Sequence, residues 1–156
     1  MSADEAKTVQ KRVWFGMNAT MTIGPGFIHK AGFGLISLPH PPVINWLLRQ
    51  GLNEDDRDIL SFTHEFGHLQ TMPLALFYTV VMLALASITR HTDGIEIALV
   101  LISTHAAWEI MAEIFTISSD IHFYRKCYEE ITVIPRVIFW TVTGVLTVAV
   151  WAIILL

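Results

Sequence analysis

The sequence predicts an all-α protein, an integral membrane helical bundle of three to four transmembrane helices with a re-entrant or peripheral N-terminal element. Hydrophobic residues make up 53% of the chain and charged residues 15%, with a mean hydropathy of +0.53, whereas a soluble domain carries about 25% charge. Residues 72–89 and 137–156 contain no charged side chain, and residues 95–117 form a third apolar stretch. Each stretch has about the 20 residues that a helix needs to cross a bilayer.

The N-terminal region has a different composition. Residues 13–38 are apolar on average but rich in glycine, and they include Pro25 and Lys30. This composition argues against one straight span and favours a re-entrant hairpin, two short helices or a broken helix. Residues 43–50 predict a short amphipathic helix that ends at Gly51.

The chain is therefore expected to form a single membrane domain over residues 1–156. In this division, residues 1–53 are a re-entrant or interfacial region, and residues 54–156 are the helical core that carries the functional site. The core begins with a helix for which Asn53 is a good N-cap, because acidic residues follow it in the first turn. This helix is expected to continue into the first span, to be kinked by Pro73, and to end at a turn near residues 90–94.

Positive charges predict the orientation. Lys and Arg residues are frequent before the first span and recur in residues 118–136, whereas the loop after the first span contains only Arg90. Because cytoplasmic loops carry the excess of Lys and Arg, both the N-terminus and the 118–136 loop are expected on the cytoplasmic side of a plasma membrane. A fourth crossing at residues 13–38 would spoil this bias.

Charge and cysteine content exclude other classes of protein. The net charge of −4 argues against nucleic-acid binding, which needs clustered Lys and Arg. Cys127 is the single cysteine and cannot form an internal disulfide. The expected partners are membrane lipid and a peptide or protein substrate, with a homo-oligomer or a larger membrane complex as the assemblies in play.

The run His64-Glu65-Phe66-Gly67-His68 carries the strongest chemical signal. Two histidines four residues apart on a helix lie about 40° apart around its axis, so both imidazoles can reach one zinc ion. Glu65 lies beside them, where a carboxylate can take a proton from a metal-bound water. This is the HExxH pattern of zinc peptidases.

A third protein ligand is expected on the second apolar stretch, because catalytic zinc sites have three protein ligands and one open position. The candidates share one face of the predicted helix and are His105, Glu109, Glu113 and Asp120. Counting about 1.5 Å of rise per residue from the turn, Glu113 best matches the level of His68, and Glu109 lies about one turn too deep. We expect Glu113 as the third ligand, with Glu109 as the second choice. The expected supporting or oxyanion-binding groups are His105, Asp120 and His122.

The HExxH motif followed by a glutamate on a later helix resembles the gluzincin class of zinc metallopeptidases, some of which are integral membrane proteins. The resemblance covers residues 58–122 and implies zinc held by His64, His68 and that glutamate, with Glu65 as general base and acid. In membrane gluzincins an acidic residue commonly follows the glutamate ligand by four positions. Glu109-Ile-Met-Ala-Glu113 has this spacing if Glu109 is the ligand, which conflicts with the depth count. Both glutamates stay candidates.

The expected function is that of an integral membrane zinc metallopeptidase that hydrolyses peptide bonds at or near the cytoplasmic membrane interface. One alternative is a membrane di-iron carboxylate oxidase, because Glu65-Phe66-Gly67-His68 is also the ExxH unit of such proteins. Its further ligands would be Glu109, Glu113, Asp120 and His122, although a second ExxH is missing from the sequence. The other alternative is a non-catalytic accessory subunit of a larger membrane complex, with histidines that bind a haem or a pigment.

Overall fold

The computed structural model describes residues 6–24, 29–33, 36–40 and 48–156. In this part of the chain four strands precede four helices. The strands are β1 (Lys7–Arg12), β2 (Asn18–Ile23), β3 (His29–Phe33) and β4 (Ile36–His40), with a short 3₁₀ turn at Trp14–Gly16. The helices are α1 (Glu54–Ile88), α2 (Gly94–Ser119), α3 (Ile121–Glu130) and α4 (Val133–Leu155).

Side-chain caps explain where the helices begin. The Asn53 side chain accepts a hydrogen bond from the backbone N–H of Asp56 at 2.9 Å, so α1 begins where the sequence predicts. Asp93 and Glu96 form a capping box at the start of α2. Asp120 accepts from the backbone N–H of Phe123 at 2.9 Å and thereby starts α3.

The prediction of a helical bundle with candidate membrane spans is confirmed. Within the described residues, α1, α2 and α4 are the three helices long and apolar enough to cross a membrane. Large apolar side chains such as Leu76, Phe77 and Val80 are exposed along α1, as expected for a surface in contact with lipid. The helix α1 runs from Glu54 to Ile88 with Pro73 inside it.

The all-α prediction is wrong for the N-terminal region. The four strands form an antiparallel sheet in the order β1-β2-β3-β4, and no helical hairpin forms over the described part of residues 13–38. In β2 the alternate residues Ala19, Met21 and Ile23 are buried, which is the period of two that a half-buried strand requires. Residues 43–47 of the predicted amphipathic helix lie outside the described residues.

The sheet packs on the first half of α1. Val13, Ala19 and Met21 form a buried cluster with Leu69, and Phe62 and Phe66 pack against it. The Trp14 indole N–H donates to the backbone carbonyl of Leu69 at 2.7 Å. Lys7 forms an ion pair with Asp58. The sheet therefore covers the same half of α1 that carries the HExxH motif.

Candidate metal centre

The motif lies on the buried side of α1. His64, Glu65 and His68 are only 1–2% exposed. A close approach of α2 makes this burial possible, because a Cβ atom added at Gly67 would lie 2.7 Å from the carbonyl oxygen of Ala112. A small residue at this position lets the two helix backbones nearly touch. Side chains of α2 can consequently reach the motif.

Three donor side chains from the two helices converge. The His64 Nε2 and His68 Nε2 atoms lie 3.1 Å and 3.3 Å from Glu109 Oε2. One ligand atom from each residue lies within 4.8 Å of the others. Tetrahedral zinc ligands about 2.1 Å from the metal lie roughly 3.4 Å from one another. Two imidazoles and one carboxylate at this spacing fit the three-ligand set of a zinc site.

Glu113 contacts the cluster from outside. Arg49 Nη1 and Nη2 donate to its two oxygens at 2.9 Å and 2.7 Å, and the Tyr124 hydroxyl donates to Oε1 at 2.7 Å. Its Oε2 also lies 2.8 Å from His64 Nδ1. The geometry therefore favours Glu109 over Glu113, the first choice from the sequence, because Glu109 belongs to the group of His64, His68 and Glu109 that could hold a metal ion (the candidate ligand group). Counting rise along two straight helices ignores helix tilt and the reach of the side chains.

The position of Glu113 has a chemical consequence for His64. A histidine that binds a metal through one ring nitrogen usually donates the other N–H to a carboxylate, which fixes the tautomer and the ring orientation. Glu113 on Nδ1 leaves Nε2 of His64 directed at Glu109. Burial and the nearby Glu113 carboxylate raise the pKa of Tyr124, so its hydroxyl stays protonated and donates to that carboxylate.

Trp108 supports the second histidine. Its indole N–H donates to the backbone carbonyl of His68 at 3.0 Å. The rings of His68 and Trp108 also meet edge to face, with centroids 5.0 Å apart. This contact packs an aromatic side chain of α2 directly against His68 on α1.

The expected supporting groups divide into two sets. His105 lies one turn before Glu109, and its Nε2 is 3.5 Å from Glu109 Oε1. Asp120 and His122 do not join the cluster, because both are exposed and Asp120 serves as the cap of α3. The sequence does not predict that Arg49 and Tyr124 surround Glu113. The one sequence feature that indicates such partners is Glu113 itself, since a carboxylate buried in an apolar helix needs a cationic or hydrogen-bonding partner.

Comparison of the chain with protein-family models, with curated proteins and with solved structures finds no significant match.

Proposed function

We propose that this chain is a membrane-embedded zinc metallopeptidase in which His64, His68 and Glu109 hold the metal. The observation that carries the proposal is the convergence of these three buried donors next to Glu65. Two histidines and one glutamate are a recurrent ligand set of catalytic zinc, whereas structural zinc sites are mostly rich in cysteine. Cys127, the single cysteine of the chain, lies in a different buried cluster with Leu60 and Tyr124.

Each residue of the site has a defined task in the proposed reaction. Bound zinc would polarise the substrate carbonyl and lower the pKa of its water to about 7. Glu65 follows the first candidate ligand in the motif and would act as the base that takes a proton from the attacking water and as the acid that delivers it to the leaving amine. Glu113 holds the His64 ring, and Trp108 contacts His68. His105, whose Nε2 lies 3.5 Å from Glu109 Oε1, is the proposed donor for the developing oxyanion.

The proposed location is the plasma membrane, with the motif end of the bundle toward the cytoplasm. Lys7 and Lys11 of the sheet contact Asp58 and Phe66 of α1, so these positive charges lie at the motif end. Arg125 and Lys126 lie on α3, which follows directly after α2 at the same end. The turn at the other end carries Arg90. This distribution agrees with the excess of positive charge in cytoplasmic loops.

The geometry favours zinc over a di-iron centre. A di-iron site needs carboxylates that bridge two metals, yet both oxygens of Glu113 already accept hydrogen bonds from Arg49. Asp120 and His122 are exposed and do not join the ligand group. Among the described residues, the ligand group contains one carboxylate, that of Glu109.

The test compares the wild type with Glu65→Gln, which keeps the side-chain size but removes the base. Both proteins are expected to bind about one zinc ion per chain. Cleavage of a pool of fluorescence-quenched peptides is expected to fall by about 10²–10⁴-fold in the variant. Asp55→Asn is the matched control, because Asp55 is an exposed acid in the first turn of the same helix. Equal turnover by Glu65→Gln and the wild type would refute the assignment of Glu65.

A further inference from the structure

A cleft opens between α2 and α4 beside the candidate metal centre. Its volume is about 430 Å³, within the usual range of roughly 300–1,000 Å³ for ligand sites. Most of its lining is apolar and includes Leu101, Ile102, Val142 and Leu146. Two lining residues are ionisable, His105 and Glu109, and Glu109 is also a member of the ligand group. The cleft is therefore continuous with the proposed catalytic centre.

The cleft lies at membrane depth. The helix α2 has 26 residues, so it is about 39 Å long and exceeds a hydrocarbon core of about 30 Å by roughly 5 Å at each end. Glu109 is ten residues from Ser119, or about 15 Å, which places its carboxylate roughly 10 Å inside the core. Val142 is nine residues from the start of α4, at nearly the same level.

His105 is an unusual residue for a surface at this depth. Its side chain is 54% exposed, although it lies one turn deeper than Glu109 on a candidate span. Ionisable residues within membrane spans usually face a bundle interior, a water-filled cavity or a substrate pathway, because exposure to lipid is costly. The imidazole lines the cleft and lies 3.5 Å from Glu109 Oε1, so the apolar cleft holds a pair of polar side chains that a peptide group could contact.

We propose that the cleft is the substrate site and that it accepts an apolar peptide segment entering sideways from the bilayer, with the scissile peptide bond next to Glu109. This inference rests on the proposed function. An apolar segment matches the lining, and its peptide groups match His105 and the metal centre. A lipid acyl chain would match only the lining. In the reaction the C–N bond breaks and the water oxygen bonds to the carbonyl carbon. One proton of the water goes to the leaving amine, and the other is released when the new carboxyl group ionises.

The experiment uses full-length chain in phosphatidylcholine nanodiscs and a synthetic peptide with about 20 Leu and Ala residues between flanking lysines. A photo-reactive benzoylphenylalanine stands at its centre. The Glu65→Gln variant keeps the peptide uncut, and mass spectrometry locates the cross-links. A lipid with a photo-reactive acyl chain serves as the second probe. The expected cross-links of the peptide fall on the cleft residues of α2 and α4.

Two variants test the cleft with a matched control. Val142→Trp fills the cleft at a partly exposed position, and Val148→Trp places the same side chain about 120° around α4 at an exposed site outside the lining. Val142→Trp is expected to lower peptide labelling of the cleft by about tenfold or more, with zinc content unchanged. Val148→Trp is expected to leave both at the wild-type level.

Three outcomes would overturn the inference. These are peptide labelling spread evenly over the lipid-facing sides of the helices, equal effects of the two tryptophan variants, and labelling of the cleft by the acyl-chain probe but not by the peptide. Failure of the proposed function has a different signature, which is absence of zinc or Glu65-independent cleavage. A further result would separate the two proposals. If the chain cleaves soluble peptides in a Glu65-dependent way and Val142→Trp leaves this cleavage unchanged, the proposed function stands and the cleft is discarded as the substrate site.

Discussion

The two halves of the α1–α2 pair are held together by different kinds of contact. In the motif half, residues 54–71 of α1 meet residues 105–119 of α2 through buried ionisable groups, including His64, Glu109 and Glu113. In the far half, residues 72–88 and 94–104 meet through an apolar cluster and neutral hydrogen bonds.

The difference between the two halves bears on why charged side chains are buried in the motif half. The far half packs Met82 and Ala86 of α1 against Val100 of α2 and Val150 of α4, and among the described residues no ion pair is buried there. Neighbouring helices of this protein therefore associate without one. Burying charges carries a desolvation cost that apolar packing avoids. The charged half is thus better explained by a function than by a need for stability.

The largest expected effect comes from removing a proposed ligand. Glu109→Gln is expected to weaken zinc binding by more than the roughly 10–100-fold that is typical of losing a supporting partner, because a carboxylate that would contact the metal is lost. Glu113→Gln is expected to stay within that range. Competition with a chromophoric zinc chelator measures both affinities. A larger loss in Glu113→Gln than in Glu109→Gln would reverse the assignment of the two glutamates.

The second prediction concerns the ion pair between Arg49 and Glu113, whose side chains are both 0% exposed. Arg49→Ala leaves the Glu113 carboxylate buried without its cation, and is expected to destabilise the fold by about 3–5 kcal/mol. Thermal unfolding in detergent measures this loss.

A double variant separates the fold from the site. Arg49→Met combined with Glu113→Leu replaces the pair by apolar side chains and is expected to recover most of the stability. It is still expected to bind zinc about 10–100-fold more weakly, because His64 has lost its Nδ1 partner. Wild-type zinc affinity in the double variant would show that the pair does not act on the site.

The third prediction uses two glycines of the spans. Gly67→Ala forces a Cβ atom against the Ala112 carbonyl at 2.7 Å, and is expected to cost about 1–3 kcal/mol of stability and to weaken zinc binding. Gly144→Ala on α4 is the control, because a Cβ atom there meets nothing within 4 Å. It is expected to be neutral or slightly stabilising. Equal effects of the two substitutions would contradict close packing at the motif.

The smallest effect is expected in the far half. Tyr78→Phe removes the hydroxyl that lies 2.7 Å from Ser103 Oγ, and is expected to cost about 0.6 kcal/mol, the average for such bonds between membrane helices. Zinc affinity is expected to stay unchanged. A loss of zinc on this substitution would mean that the two halves are not independent.

The sequence predicted the helical part well because its signals are local. Asn53 and its following acids mark a helix start, and uncharged stretches such as residues 137–156 mark candidate spans. The sheet is not predicted because the glycines of residues 13–38 indicate breaks in a membrane segment, and the alternating burial from Ala19 to Ile23 covers only a few residues.

The supporting contacts of the site could not be predicted, because they join distant parts of the chain. Arg49 and Glu113 are 64 residues apart in sequence, and nothing local to either residue indicates the other. The order of Glu109 and Glu113 depends on helix tilt and side-chain reach, which a count of residues does not contain.

The most direct test of the account is X-ray absorption at the zinc edge on the full-length chain, stripped by chelator and reloaded with zinc in nanodiscs. The account predicts about one zinc ion per chain with two imidazole nitrogens and carboxylate oxygen at roughly 2.0–2.2 Å, and loss of the imidazole signal in His64→Ala combined with His68→Ala. A chain that takes up no zinc, or a zinc spectrum unchanged by removing both histidines, would contradict it.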